Sequence, residues 1–535
     1  MTDPGSPAAT STWAPFANQV FRALWLAWLA ANVSMWMNDV AAAWLMTSLS
    51  ADPLMVALVQ SAAMLPVFLL SFPSGALADI VDRRRFLLAT QLWVSATAAS
   101  LSILAFLDAL SAPLLLALVF ANGIGLAMRW PLFAAIIPDV VPRTQIAAAV
   151  ALNAVSVNIS RVAGPIVAGL LLASLGGAFV FVLNTLLSLG AAYLAWRWRS
   201  EPRSSALPAE HVLGAMRVGI QHVRQSPRFR VILLRTLAFF LPGAALLALL
   251  PLLARAYGGG AAAYTALVSC MGAGAIAAGL GLSRAEGKFS RDRVVGAGTL
   301  LFAAAIATLA IAPNVWLAAP AMTAAGAAWM AVANSLTVGA QLSLPNWVRA
   351  RGMSIFQMAL MAGGAFGAAL WGQVARHFSV PLSLLCAAGL CVVLALVLRR
   401  QRLDACVSED LTPHPVLSEL KPTAAIQADD GPIMVTIQYE VDAADMQSFL
   451  EVMKESRRSR LGKGALSWGL FRDAENQRLF IEYFLDQSWV EHLRRFERVT
   501  ASELQLHHRR LGFHRGTTPP VVSRYVAEPM TPSAF

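Results

Sequence analysis

The sequence predicts an all-α polytopic membrane protein of twelve transmembrane helices in two six-helix halves, followed by a small α+β domain of ferredoxin-like plan. Three observations predict it. Of 535 residues, 57% are hydrophobic and only 13% charged, whereas soluble domains carry about 25% charged residues. Twelve apolar stretches meet or nearly meet the roughly 20 residues that a hydrocarbon core of about 30 Å demands; they run at 20–47, 54–80, 86–108, 112–137, 145–173, 178–198, 229–253, 262–283, 293–312, 315–341, 350–374 and 381–398. After Arg399 and Arg400 the long apolar runs give way to short strand-like and charged helical segments.

The first span is too long for the apolar core of a cleaved signal and carries Asn and Asp inside it, so the N-terminus is expected to stay on. The net charge of +11 follows topology. Connections after even-numbered spans hold thirteen Lys and Arg, those after odd-numbered spans two. The positive-inside rule then places the even connections and both termini in the cytoplasm. This distribution argues against nucleic acid as a partner; the lipid bilayer is the partner it names. Cys270, Cys386, Cys391 and Cys406 have no metal or redox spacing, so neither a metal site nor a disulfide framework is expected.

The longest internal break divides the chain into an N-terminal half (1–198), a linker (199–228) and a C-terminal half (229–400). Within the linker, Val212, Met216, Val218, Ile220 and Val223 form an imperfect apolar stripe beside Arg217, His222 and Arg224. A helix on the inner membrane surface and a solvated linker fit it equally. A second linker (401–430) leads to the tail domain at 431–526. There PIMVTIQYEV reads as a strand, DAADMQSFLEVMKESRRSRLG as a helix opened by Asp442, ALSWGLFRD and RLFIEYFLD as two strands, SWVEHLRRFERVTASELQLHHRRLG as one long basic helix, and PPVVSRYV as a last strand. The order βαββαβ is the ferredoxin-like plan.

Between spans 2 and 3, some twenty uncharged residues break into GALADIVDRRRFL. The run resembles the loop signature of the major facilitator superfamily: Gly75, Leu77, Ala78, Asp79, Arg83, Arg84 and Leu87 match, and Ile80 and Asp82 depart from it. A conformational latch is expected. Gly75 permits close approach of a neighbouring helix, Asp79 faces the positive N-terminus of a helix near Val348 to Gly352, and Arg83 or Arg84 pairs with Asp139. In span 5, ISRVAGPIVAGLL resembles the superfamily's antiporter motif through Gly164, Pro165 and Gly169, with Ser160 and Ala168 in place of glycines. Small residues there allow tight packing against the opposite half. A third motif, in span 4, is half present: Asn122, Gly123 and Gly125 fit, but Val119 occupies the place of the arginine.

Ionisable groups inside a bilayer are costly and mark pathways. Span 1 carries Asn32, Trp36 and Asp39 on one face, span 4 Asn122 and Arg129, and span 5 Asn158 and Arg161. Asp39 and Arg161 each lie about 24–29 Å up from the cytoplasmic end at 1.5 Å per residue, so the two are expected to meet, either as a proton-coupling pair or as a static ion pair. Arg129 lies nearer the cytoplasm and is the less suited partner. The second half offers Asn334, Gln357 and Met361 but no comparable buried carboxylate. A cavity charged on one wall and apolar on the other suits a bulky, mostly apolar substrate.

Residues 15–400 as a whole, through FRALWLAWLAANVSMWMNDVAAAWLMTSLSADP and NISRVAGPIVAG, resemble the superfamily branch of the enterobactin exporter and related multidrug exporters, the transmembrane secretion effectors. That resemblance implies proton-coupled export of small molecules, drugs or siderophores, across the bacterial inner membrane, with no cofactor and no catalytic residue. Uptake of a nutrient and a carrier fused to an enzyme are the alternatives. The tail, through FIEYFLDQSWVEHLRRFERVT, resembles the dimeric α/β-barrel domains related to antibiotic-biosynthesis monooxygenases. A homodimer through the tail is implied. Trp468, Trp489, His492, His507 and His508 read either as a site or as core and surface residues.

Overall fold

The computed structural model describes residues 13–80, 82–197, 212–284, 290–401, 426–427 and 429–528. Twelve of the described helices are long and apolar enough to cross a membrane. They are α1 (Gln19–Leu49), α2 (Pro53–Ile80), α3 (Arg83–Phe106), α4 (Ala112–Val140), α5 (Ile146–Ser174) and α6 (Gly177–Arg197), then α8 (Pro227–Ala256), α9 (Gly260–Arg284), α10 (Arg291–Ile311), α11 (Val315–Leu342), α12 (Arg349–His377) and α13 (Val380–Leu398). Between the two sets of six lies α7 (Val212–Gln225). Several span ends are set by local chemistry. Asn18 accepts the backbone N–H of Val20 and Phe21 at the start of α1, and Ser379 accepts that of Leu382 at the start of α13, satisfying donors that a helix leaves open at its first turn.

The chain divides into two compact units. The larger holds residues up to 206, 233–338 and 354–402. In its first half, α1 is the hub: Phe21 and Trp28 pack with Ile137 of α4 and Leu152 of α5, and the Trp25 indole donates to the Leu152 carbonyl at 3.0 Å. In its second half, Phe239 and Phe240 of α8 meet Phe302 of α10 and Trp329 of α11, with ring centroids 4.9–5.7 Å apart. Arg235 of α8 pairs with Asp292 of α10 at 3.0 Å and donates to the carbonyls of Leu398 and Gln401. The second half therefore does contain a partly buried ion pair. Asp292 stands at the very start of its span, where the sequence reads as connection.

The described contacts between the halves cluster towards one end, the end where α1 stops and α2 begins. Arg255 donates to the Thr47 carbonyl, Arg376 lies 3.6 Å from Asp52, and Trp44 stacks on Tyr264 at 5.9 Å. Deeper in, Ser61 donates to the Ala365 carbonyl at 2.7 Å and Phe68 meets Phe366 edge to face at 5.7 Å.

The smaller unit holds residues 207–232, 339–353 and 403 onward. Its tail is a four-stranded antiparallel sheet in the order β2-β3-β1-β4, with β1 Ile433–Glu440, β2 Ser467–Arg472, β3 Leu479–Asp486 and β4 Val522–Val526. Helix α14 (Met446–Gly462) links β1 to β2, which completes the ferredoxin-like plan. The long basic helix expected over 488–512 is two helices, α15 (Trp489–Glu497) and α16 (Ala501–Leu511). The cause is a capping box: the Thr500 side chain accepts from the third backbone N–H of α16, and Glu503 accepts the Thr500 N–H.

Helix α7 packs part of its apolar stripe against protein. Val218 and Val223 are buried, Gln221 donates to the Ala465 carbonyl at 3.4 Å, and Arg217 donates to Gln487 at 2.7 Å. Of the rest of the stripe, Met216 is half-buried and Ile220 exposed, so the tail covers part of it.

Candidate functional site

The intramembrane polar residues converge on α1. From α4, the Arg129 guanidinium, 1% exposed, donates to the Ala31 carbonyl at 3.2 Å and to Asn32 Oδ1 at 3.5 Å, and sits 5.2 Å from the centre of the Trp28 ring. From α5, Arg161 lies 5.6 Å from the centre of the Trp36 ring. From α6, Asn184 donates to Asn38 Oδ1 at 3.2 Å and accepts from Ser188 at the same distance. Such amide and hydroxyl bonds hold helices together where lipid gives no hydrophobic drive.

The expected Asp39–Arg161 contact is not made in this conformation. Arg161 turns to the Trp36 ring, three residues and nearly one turn below Asp39. Asn158 is spent on its own helix, donating to Ala154 at 2.9 Å. Asn122 is buried and lies within 3.3 Å of the Thr97 hydroxyl of α3. In the second half, Asn334 is exposed and Gln357 and Met361 half-buried; no described hydrogen bond ties them to the α1 cluster.

The antiporter-like motif stands at two helix crossings. A Cβ on Gly164 would fall 3.1 Å from the Val33 carbonyl and against the Trp36 Cβ of α1. One on Gly169 would enter the Thr265 side chain of α9, in the opposite half. Hydrogen is the only side chain that fits either crossing, and Gly164, Pro165 and Ala168 are all buried. Of the latch residues, the side chains of Gly75, Asp79, Arg83 and Asp139 lie outside the described residues. Arg84 donates to the Trp196 carbonyl of α6.

Sequence reasoning missed Trp28, Thr97, Asn184 and Ser188. Asn184 and Ser188, four apart in an otherwise apolar span, were a signal in plain view; Trp28 and Thr97 carry none, because only helix rotation brings them to Arg129 and Asn122.

In the tail, the residues that read as a possible site are engaged. The Trp468 indole donates to Glu482 at 2.9 Å, and Trp489 is buried beside Ile433 and Phe484. His492 bonds Asp486 at 2.9 Å and lies 3.2 Å from the Arg524 guanidinium. Burial pushes the Glu482 carboxyl up, but Arg460 at 3.2 Å and Arg510 at 3.4 Å outweigh it and hold the group down at about 2. His507 and His508 are exposed on α16. Of these residues, Trp468 and His492 are thus bonded to carboxylates of β3.

Comparison with known proteins agrees with this architecture. The family model described as transmembrane secretion effector matches residues 10–531. The staphyloferrin A transporter of Staphylococcus aureus is 29% identical over 140 residues, 26% of this chain and 35% of that protein, so the match spans about a third of the relative's length. Among solved structures, a bacterial homologue of the human lysosomal transporter Spinster, inward-facing and occupied, aligns with a TM-score of 0.59 at 17% identity over 75% of this chain and 98% of its own. A D-xylose–proton symporter aligns with a TM-score of 0.57 at 15% identity, covering 71% and 96%. At such identities the structures show the fold, and the family match covers nearly the whole sequence: the chain belongs to the transmembrane secretion effectors, multi-pass transporters of the major facilitator superfamily.

Proposed function

We propose that the protein exports small amphipathic molecules, of drug or siderophore type, from the cytoplasm across a bacterial inner membrane, exchanging them for protons by alternating access. The observation that carries this reading is the antiporter-like segment of α5, where Gly164 and Gly169 press one helix against α1 and against α9 of the other half. A helix gripped on both sides cannot tilt without moving both, which couples the polar cluster on α1 to rocking of the halves.

With the arginine-rich connections in the cytoplasm, the end at which the described contacts between the halves gather is the outer one. Asp39 is the proton-coupling group. It gains or loses its proton as the approach of Arg161 in the alternate state changes the field at its carboxylate. Asn32, Trp36, Asn122, Arg129 and Asn158 with Asn334, Gln357 and Met361 form the substrate cavity, and Gly75, Asp79, Arg83, Arg84 and Asp139 the cytoplasmic latch. Support for a siderophore-like substrate comes from the staphyloferrin A transporter's name. The tail has no catalytic role and dimerises through the sheet face turned away from its helices, where Phe471 and Tyr525 stand exposed.

Inverted vesicles expressing the protein and energised with a pH gradient test the reading, with a panel of amphipathic drugs and siderophores added in turn. Collapse of the gradient with some member of the panel, lost in Asp39→Asn, is the expected result. Collapse that survives in Asp39→Asn moves the proton site elsewhere; accumulation of a panel member in right-side-out vesicles without collapse replaces export by uptake.

A further inference from the structure

The smaller unit contains a cleft of about 600 Å³, enclosed by α14 and α16 of the tail, the turn from α7 into α8, and residues 343–347. Its size lies within the range of small-molecule pockets. Its apolar lining comes from Pro227, Pro345, Leu506 and the Trp347 ring. Two groups contact that ring: His222 meets it at 5.3 Å with the ring planes near perpendicular, and the Arg498 guanidinium lies 5.1 Å from its centre. Hydroxyls of Ser226, Ser343, Ser459 and Thr500 line the remainder.

The charges of the cleft do not cancel. Lys463 is paired with Glu503 at 2.5 Å, and Arg509 with Glu455 at 2.8 Å. Burial pushes His222 below its ordinary range, against the opposing pull of the Gly462 carbonyl and Glu503. Arg228 and Arg458 remain. Neither engages a carboxylate or any other hydrogen-bond acceptor among the described residues, and the half-buried Arg228 has its Nε shut off from solvent without a partner. The Trp347 Nε1–H is likewise buried and unpartnered. Two unpaired guanidinium groups, a spare indole donor and apolar lining are the elements of a site for an anion attached to an apolar body.

We propose that this cleft binds an amphipathic organic anion, with the anionic group held by Arg228 and Arg458 and the apolar body on Trp347 and Leu506. An occupant touches three segments at once: the tail, the start of α8, and the connection from α11 into α12. Binding therefore tightens the tail onto the connections between spans, and the site is a ligand-operated control on the transporter. This inference stands apart from direction and coupling, since it concerns no residue of the α1 cluster. The chemistry is shared by a soluble carboxylate and by the headgroup region of an anionic lipid.

The test uses the full-length protein in nanodiscs of phosphatidylcholine, titrated with 2-naphthoate by calorimetry, with 2-naphthamide as the uncharged control. Expected is one saturable site per chain, at least tenfold weaker for the amide, and weakened at least tenfold by Arg458→Gln. Arg458 is exposed, so that variant keeps its fold; Arg228→Gln is the second, checked by its unfolding temperature. Nanodiscs containing phosphatidylglycerol separate the sources. If that lipid competes with naphthoate in the parent protein and not in Arg458→Gln, the resident anion is a lipid; if naphthoate binds equally in both discs, it is a soluble molecule. Naphthoate binding that is unchanged in both arginine variants, equal binding of the amide, or no saturable binding together with no lipid effect would each overturn the proposal.

Discussion

The polar cluster on α1 and the polar core of the tail are built from the same residue types and finished in opposite ways. In the tail, a single carboxylate on β3, fully buried Glu482, accepts from Tyr439, Ser456, Arg460, Trp468 and Arg510 at 2.9–3.4 Å. In the membrane, buried N–H groups of Asn32, Trp36, Asn38, Arg129 and Arg161 are left without a partner. Apart from the Arg510 Nε–H, which has no partner, that network is paired and holds one arrangement, because any change strands a charge. An unsaturated one keeps donors in hand for a second arrangement, which is what a carrier alternating between two states requires.

The largest expected effect breaks the saturated side. Glu482→Ala leaves Arg460 and Arg510 buried without their anion and should cost the tail about 3–5 kcal/mol. In the full-length protein, hydrogen exchange should show protection lost across β1 and β3 while the spans stay protected. The counterpart, Arg161→Gln, removes a ring contact worth about 0.5–2 kcal/mol, so thermal unfolding should shift little while coupled transport falls at least tenfold. If Arg161→Gln destabilised the protein as much as Glu482→Ala, the contrast between the two regions would be wrong.

Next is the crossing of α5 and α9. Gly169→Val forces a branched side chain into Thr265; overpacking of this kind costs about 1–3 kcal/mol. Transport should drop at least fivefold at unchanged expression, and Thr265→Gly in the same chain, which removes the Cβ that an alanine would keep, should restore much of it. Failure of the second change to rescue would mean that the crossing does not govern the movement of the halves.

These two tests also mark what was legible in the sequence. Spans were legible because length and apolarity alone decide them, and the tail's plan because its strands and helices differ in period. The glycines of span 5 pointed correctly to a crossing, but not to Thr265, since the partner of a glycine leaves no mark in its own segment. Asp39 and Arg161 were matched by height along their helices. Height fixes one coordinate and rotation about the axis the other, and rotation took Arg161 to Trp36. The break between α15 and α16 was written in T-A-S-E, a capping signal that the continuous basic pattern around it obscured. The apolar stripe of α7 fitted a membrane surface and a solvated linker equally, and could not tell that Val218 packs against a domain more than two hundred residues later.

A pH titration sharpens the comparison within the tail. Burial pushes the Lys463 ammonium down to about 8, with Glu503 opposing and Arg495 and Arg460 reinforcing the shift. Between pH 8 and the ordinary value of 10.5 the unfolded chain carries a proton at this position that the folded one has lost. Stability of the smaller unit should therefore rise with pH in that window, by at most about 1.4 kcal/mol per pH unit, and the gain should vanish as pH falls through 8. Thermal unfolding of the full-length protein between pH 7.5 and 9.5, compared with Lys463→Met, isolates the contribution. A slope that persists in Lys463→Met belongs to another group.

The smallest effect tests whether the membrane cluster is as loosely bound as its spare donors suggest. Asn184→Ala removes one interhelical bond, to Asn38, and the Ser188 bond that supports it. Single bonds of this type in membrane bundles average about 0.6 kcal/mol, because the groups left behind find other partners. Here the partner is close at hand: Ser188 and Asn38 remain on facing helices. Unfolding of the Asn184→Ala protein in nanodiscs should accordingly lie within about 1 kcal/mol of the parent, and transport within twofold. A loss of several kcal/mol would show that the α1 cluster is rigid in the manner of Glu482. The unpartnered donors would then be part of a fixed structure, and the movement would have to be sought at the helix crossings alone.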